Sequence, residues 1–450
     1  MEWPGNPFWP SGLAGAMLAG LALAWLAPHD FWPPLALAPA ALALALAAAY
    51  PARATALWLA ALATCPEMWL GDLIGDAPDI IGIDKGIGLG LVALCMLRYG
   101  ARFDAANPGL AFLVMFGSGF THGLWPGLTM GDSVRSLIGS AAPFAFSWSR
   151  LSPAWCRRVI GTVIAAPFLI LAFGCCLAVA GLRPLYSLED GALRLGASTH
   201  PAFLAGFAII SVYALLLEQV RGARGWRLAV LGGDIVILLA TGARAPLGLA
   251  LLLTALVAGC VPTPRWSWAS RVPVLLAIAA APAIAVLAAP VLGFVRLLSL
   301  ASQGDVTDLS HRTLIWPVYE AAFVRSPWFG WGTGSGKVLV PVGTLLWHLL
   351  GTNAAHDEYL RIAVEGGAVG LGLLLLSMTL WLRRGTRGMP GSERAVMVLV
   401  FLVFAVHSAT DNTLIATTAS LMFAWVSAVF ARADSETQQT RRTCMRPPDA

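Results

Sequence analysis

Residues 200–260 read HPAFLAGFAIISVYALLLEQVRGARGWRLAVLGGDIVILLATGARAPLGLALLLTALVAGC. Three apolar runs, 200–218, 228–241 and 242–260, follow one another here almost without interruption. The first two are parted by Arg221, Arg224 and Arg227, the second and third by the tight joint Thr241-Gly-Ala-Arg244-Ala-Pro. A helix needs roughly 20 mostly apolar residues to cross the hydrocarbon of a bilayer. Such runs punctuated by short Arg clusters are the pattern of membrane helices and their loops.

The same pattern extends over most of the chain. Of 450 residues, 58% are hydrophobic and 12% are charged, whereas a soluble domain carries about a quarter charged residues. Fourteen spans are expected: 10–28, 32–50, 54–70, 78–97, 108–125, 133–149, 158–181, 200–218, 228–241, 242–260, 271–290, 357–381, 394–410 and 413–431. The fold class is all-α and polytopic. Residues 1–433 form one transmembrane domain, and the polar tail 434–450 is expected to be disordered. The first apolar run has no basic segment before it, so it is expected to be a retained helix rather than a signal peptide.

The net charge of +5 could suggest nucleic acid, but the basic residues are placed by topology. With fourteen spans, 19 of the 29 Arg and Lys fall on one side and ten on the other. That excess puts the richer side and both termini in the cytoplasm. The seven Cys show no CxxC spacing, and neither a disulfide framework nor a metal site is expected. The opposite side has short loops except for one, 291–355.

Charges on that opposite side gain nothing from the topology rule. Arg244 stands at a tight joint, as an interfacial anchor or as an anion ligand. Arg312 opens His311-Arg-Thr-Leu-Ile-Trp-Pro-Val-Tyr-Glu-Ala-Ala-Phe-Val-Arg325, an amphipathic helix within the long loop. Its Trp316 and Tyr319 suit an aromatic belt at a membrane interface. Gly330-Trp-Gly-Thr-Gly-Ser-Gly-Lys337 lacks the spacing of a P-loop and reads as a tightly turning loop, with an anion nest as the alternative. In His356-Asp-Glu-Tyr-Leu-Arg-Ile-Ala-Val-Glu-Gly-Gly-Ala-Val-Gly-Leu371, the four-residue spacing of Asp357, Arg361 and Glu365 forms a ladder of opposite charge. His356 falls on another face, with Tyr359 and the Gly366/Gly370 pair, whose spacing admits a close helix contact. Arg forks bind phosphate oxygens and a neutral His serves as a general base. Together they suit attack by a hydroxyl on a substrate that leaves as diphosphate.

At these residues the chain resembles the bacterial O-antigen ligases and polymerases. The likeness covers roughly 232–380. It rests on Thr241-Gly-Ala-Arg244-Ala-Pro-Leu-Gly, Arg312-Thr-Leu-Ile-Trp with Pro327-Trp-Phe-Gly-Trp-Gly-Thr-Gly, and His356-Asp-Glu-Tyr-Leu with Glu365-Gly-Gly-Ala-Val-Gly-Leu. The family commonly has Asn or Ser after the His, and this chain has Asp357. The resemblance implies a GT-C-like, metal-independent, inverting glycosyltransferase of the bacterial inner membrane, without cofactors. Its donor would be a glycan on undecaprenyl diphosphate, and its active site would face the periplasm. Arg244 and Arg312 would hold the diphosphate and His356 would activate the acceptor. Arg194, His200, Tyr359, Arg361 and Glu365 are further candidates for substrate contact.

Two acceptors fit. A polymerase of O-antigen or exopolysaccharide extends the next lipid-linked repeat unit. A ligase attaches O-antigen to the lipid A core in lipopolysaccharide biosynthesis. The wording His-Asp-Glu-Tyr-Leu-Arg favours the polymerase. A lipid-linked oligosaccharide transporter is a third reading; it predicts internal repeats, and none is visible.

Overall fold

The computed structural model describes residues 32–74, 80–189, 192–292, 312–350, 353–414 and 417–444. The expected span 10–28 and residues 293–311 of the long loop lie outside these. The helices in chain order are α1 Trp32–Ala49, α2 Pro51–Ala63, α3 Pro66–Ile74, α4 Ile80–Tyr99, α5 Gly109–His122, α6 Met130–Ala141, α7 Pro153–Val179 and α8 Pro201–Arg221. They continue with α9 Gly225–Thr241, α10 Arg244–Cys260, α11 Trp268–Leu292, α12 Arg312–Arg325, α13 Leu345–Leu350, α14 Glu358–Gly385, α15 Gly391–Ser408 and α16 Thr417–Cys444. The described part of the chain departs from all-helix at one hairpin, β1 Tyr186–Glu189 paired antiparallel with β2 Ala192–Leu195.

Among the described residues, α7, α8, α14 and α15 are each long and apolar enough to cross a membrane. Residues 41–49 and α2 could form a fifth crossing, bent by 120°. Two expected spans are each divided. Span 54–70 breaks between α2 and α3, where Cys65 has φ 50° before Pro66. Span 133–149 is the short α6 followed by a 3₁₀ segment, Ala142–Trp148.

Helix α8 is the centre, with 89% of its apolar window buried. It packs against α7, α9, α10, α15 and α16. The bundle's rim exposes Leu97, Leu252, Leu276, Leu376 and Leu402, an apolar surface suited to lipid.

The tail departs from expectation. Helix α16 runs to Cys444, well into the segment read as disordered. Polar composition would leave such a segment free, but contacts hold it. Arg102 pairs with Asp434, Arg221 with Glu436, and Thr437 Oγ1 donates to Gly388 O at 3.4 Å.

The architecture turns on α14. Gly367 leaves the helical region at φ 63°, ψ −169°, a conformation that is essentially glycine-only. The Pro327–Gly332 segment crosses the break and bonds to both halves. Trp331 N donates to Val364 O and Gly332 N to Glu365 O, both at 2.9 Å. Ala368 N donates to Pro327 O at 2.8 Å and Val369 N to Trp328 O at 3.1 Å. A Cβ on Gly367 would lie 2.2 Å from Trp328 C. Gly367→Ala should therefore cost at least ~1–3 kcal/mol from backbone strain alone, seen as a lowered unfolding temperature in detergent. Gly372→Ala, whose added methyl meets open space within the helix, should leave it unchanged or raise it slightly. Equal unfolding temperatures for the two variants would refute the constraint.

Candidate active site

The loop that ends at His356 is held by side chains of α12. Tyr319 is fully buried, and its hydroxyl lies 2.6 Å from Gly336 O and 2.9 Å from Asn353 O. Trp316 Nε1 donates to Ala355 O at 3.0 Å, and Asn353 Nδ2 donates to Lys337 O at 2.9 Å. These aromatics were expected to face a membrane interface. They instead pin the loop, because Ile315, Tyr319 and Ala322 form the buried face of α12 against α14.

The glycine-rich stretch 330–337 is a tight, packed turn. Gly330, Gly332 and Gly334 all have positive φ. The amides of Trp331, Gly332, Ser335 and Lys337 donate to backbone carbonyls, which uses up most of an anion nest. Ser133 and Thr333 lie 3.1 Å apart through their hydroxyls, joining this turn to α6.

His356 follows directly. Its backbone is left-handed at φ 50°, which is uncommon for a residue with a Cβ. Asp357 then caps α14, accepting from Leu360 N at 3.0 Å. The charge ladder is therefore shifted from the one expected. Asp357 is outside it, and Arg361 lies between Glu358 and Glu365. Arg361 Nε donates to Glu358 Oε1 at 2.9 Å and Nη1 to Glu365 Oε2 at 2.9 Å. Glu358, Arg361 and Glu365 are 2%, 4% and 0% exposed, so the triad is closed in by its own charges. The Gly366/Gly370 pair is the seat of Met115 from α5, which an added Cβ would strike at 2.6 and 2.8 Å.

The partner of His356 comes from the turn after α15. His356 Nδ1 is 3.5 Å from Asp411 Oδ1, and His407 Nε2 is 3.9 Å from Asp411 Oδ2. Burial alone would push the Asp411 carboxyl up, but the hydrogen bond from His356 and the two imidazoles outweigh it and hold it below the usual carboxylate range. Neither Asp411 nor His407 was a candidate from sequence. Asp411 sits between two apolar runs, the same signal that singled out Arg244, whereas His407 is in the last turn of α15.

The other candidates fall into two groups. Arg194 is buried on β2, and its Nε donates to Thr241 O at 2.9 Å. It thereby meets the α9–α10 joint that carries Arg244. His200 caps α8, its Nδ1 accepting from Ala202 N at 3.2 Å. Tyr359 ties α14 to α15 by donating to Ala405 O at 2.8 Å. These three have structural bonds that account for their presence. Arg244 itself is exposed and has no ion-pair partner among the described residues. Helix α12 begins at Arg312, whose side chain is outside the described set.

Helices α10 and α15 are tied together at their Arg-rich ends. Arg265, just beyond α10, donates to Arg221 O, and Arg221 pairs with Glu393 in the first turn of α15. The Arg-rich ends of α10 and α15 thus meet at Arg221. The two helices have 17 and 18 residues, about 25 Å each. The two helices pack against each other, and Arg244 opens the first while His407 closes the second, each at the end away from Arg221.

Two outcomes follow. Removing the central cation of a buried charge triad strands both carboxylates, so Arg361→Met should cost ~3–5 kcal/mol, read as thermal unfolding; wild-type stability would refute the pairing. Asp411 has a folded pKa below its unfolded value of ~3.9, so its ionised form stabilises the fold above that pH and the contribution is lost as pH falls through the folded value. The stability difference between wild type and Asp411→Asn should be largest near neutral pH and shrink in acid. A difference that stays constant into strong acid would contradict the assignment.

Residues 228–375 match the family described as O-Antigen ligase (Wzy_C). The matched region begins in α9, contains Arg244, Arg312, the crossing segment and His356, and ends within α14. It coincides within a few residues at each end with the likeness read from the sequence over 232–380. No curated protein matches the chain. Through this region, about a third of its length, the chain is similar to the O-antigen ligase family.

Proposed function

We propose that the protein is a membrane glycosyltransferase that moves a glycan from undecaprenyl diphosphate to an acceptor hydroxyl. The reading that fits best has fourteen spans, both termini in the cytoplasm, and the reaction at the periplasmic face of the inner membrane. The observation that carries it is His356, set in a strained backbone at the head of α14 and faced by Asp411.

With Nδ1 turned to Asp411, Nε2 is the nitrogen left to take the acceptor's proton. The carboxylate fixes that tautomer and stabilises the imidazolium that forms. The activated hydroxyl attacks the anomeric carbon from the side opposite the leaving diphosphate, so the configuration inverts. Arg244 and Arg312 stabilise the charge that grows on the departing oxygen, and no metal ion is assigned a step. An apolar groove between α14 and α15, lined by Leu371, Leu374, Phe401 and Phe404, also has Tyr359 and Ser408 in its lining. These two residues are each three positions from His356 and Asp411 in sequence, which gives a lipid-linked substrate an approach to the base.

Repeat-unit polymerisation is favoured over ligation to lipid A core by the wording around His356; the chemistry is the same for both. With purified protein and lipid-linked glycan, His356→Ala should lower transfer by ~10²–10⁴, and Arg312→Ala by ~10²–10³. Asp411→Asn should reduce kcat with little change in KM. Full transfer by both His356→Ala and Arg312→Ala would sink the proposed site. In cells lacking the protein, accumulated single repeats on the lipid carrier identify a polymerase, and accumulated long glycan identifies a ligase.

A further inference from the structure

The Arg-rich face holds two kinds of arginine. About half of the described ones are matched within the fold. Arg102 pairs with Asp434, Arg384 with Asp104, Arg221 with Glu393 and Glu436, and Arg432 with Glu218. Arg271 and Arg394 instead bond the carbonyls at helix ends, Arg271 to Val261 O and Trp266 O, Arg394 to Thr386 O.

Arg53, Arg98 and Arg158 differ. They converge on one cavity of about 210 Å³, formed where α2 begins, α4 ends and α7 begins. No acidic side chain lines it, and none of the three has a carboxylate partner among the described residues. The topology rule explains why Arg occurs on this face. It does not explain why three should share a cavity without a counter-charge, since like charges so gathered repel one another.

Two helix starts border the cavity, that of α7 capped by Ser152, which accepts from Trp155 N at 3.2 Å, and that of α2 without a side-chain cap. Ala52 and Ala154 line the cavity from the first turns of α2 and α7. Tyr50, the residue before α2, makes no side-chain cap, which leaves that end to attract an anion. Beside the cavity the surface is apolar and open: Leu57, one turn beyond Arg53, is 71% exposed, and Leu97, next to Arg98, is 83% exposed. Positive charge above and bare leucine below is the profile of an amphiphile, not of a free anion.

We propose that this cavity binds the phosphate headgroup of an anionic phospholipid, with the acyl chains lying along Leu57 and Leu97. The site is separate from His356 and does not depend on the glycosyltransferase reading.

The test uses the full chain in vesicles of phosphatidylcholine doped with phosphatidylglycerol, with retained lipid counted by native mass spectrometry. Each Arg→Gln change at 53, 98 or 158 should weaken retention about fivefold, and all three together roughly a hundredfold. Arg387→Gln, on the same face but outside the cavity, should retain phosphatidylglycerol as wild type does. Phosphatidylglycerol should raise the unfolding temperature of wild type, and inorganic phosphate should not. The proposal is overturned if the triple variant keeps phosphatidylglycerol at the wild-type level, or if Arg98→Gln does so where the triple variant fails to fold. It is also overturned if inorganic phosphate produces the same thermal shift, which would make the ligand a soluble anion.

Discussion

Two stretches of backbone satisfy each other where water is scarce, and the rest of the site hangs on that exchange. A helix that breaks within a bundle frees amides and carbonyls, and each one left unpaired in hydrocarbon costs several kcal/mol. Here the break at Gly367 is answered by Pro327–Gly332, with two hydrogen bonds to each side of it. The crossing requires glycine on both strands. An added Cβ on Gly330 would sit 2.6 Å from Glu365 C, and one on Gly367 closer still to Trp328. With that crossing fixed, the loop beyond it can be packed rather than loose. Tyr319, Trp316 and Asn353 then deliver the chain to His356 in a single geometry.

The electrostatics divide along the same line. Glu358–Arg361–Glu365 is closed in on itself and buried. Burying such a group adds little stability relative to apolar packing of the same volume. Its effect is on register: it locks the first two turns of α14, and the residue before those turns is the Asp357 cap, with His356 one position earlier. Asp411 is a different kind of acid. It belongs to a separate segment, its side chain is 36% exposed, and it keeps its charge because two imidazoles face it.

The helices were legible because apolar length and Arg clusters are local properties. The structure places most of their boundaries within a few residues of the expected ones. What could not be read was pairing. A helical wheel drawn from Asp357 puts 357, 361 and 365 in one stripe, but Asp357 is extended at φ −146°, so it stands off the wheel and Glu358 takes its place. Trp316 and Tyr319 suit an interface by residue type, and only the fold shows that carbonyls wait for them on the inner side. Asp411 lies 55 positions after His356; in sequence it is a polar residue between two apolar runs, and nothing local announces its partner. The tail to Cys444 is helical through contacts with Arg102, Arg221 and Gly388, all distant in sequence.

The rigidity of the His356 turn and the exposure of Arg244 fit different demands of the proposed reaction. Proton transfer requires heavy atoms within about 2.6–3.2 Å, so a base displaced by 1 Å is largely lost. That demand matches a residue held by a strained backbone, a helix cap and a loop stitched to two helices. Stabilising a diphosphate is less exacting, because Coulomb energy falls only as the inverse of distance. An arginine on a long side chain at the start of α10 can follow a leaving group whose position shifts with the glycan it carried. For the proposed reaction, a site built this way fixes the chemistry at one atom and leaves the charge clamp to adapt.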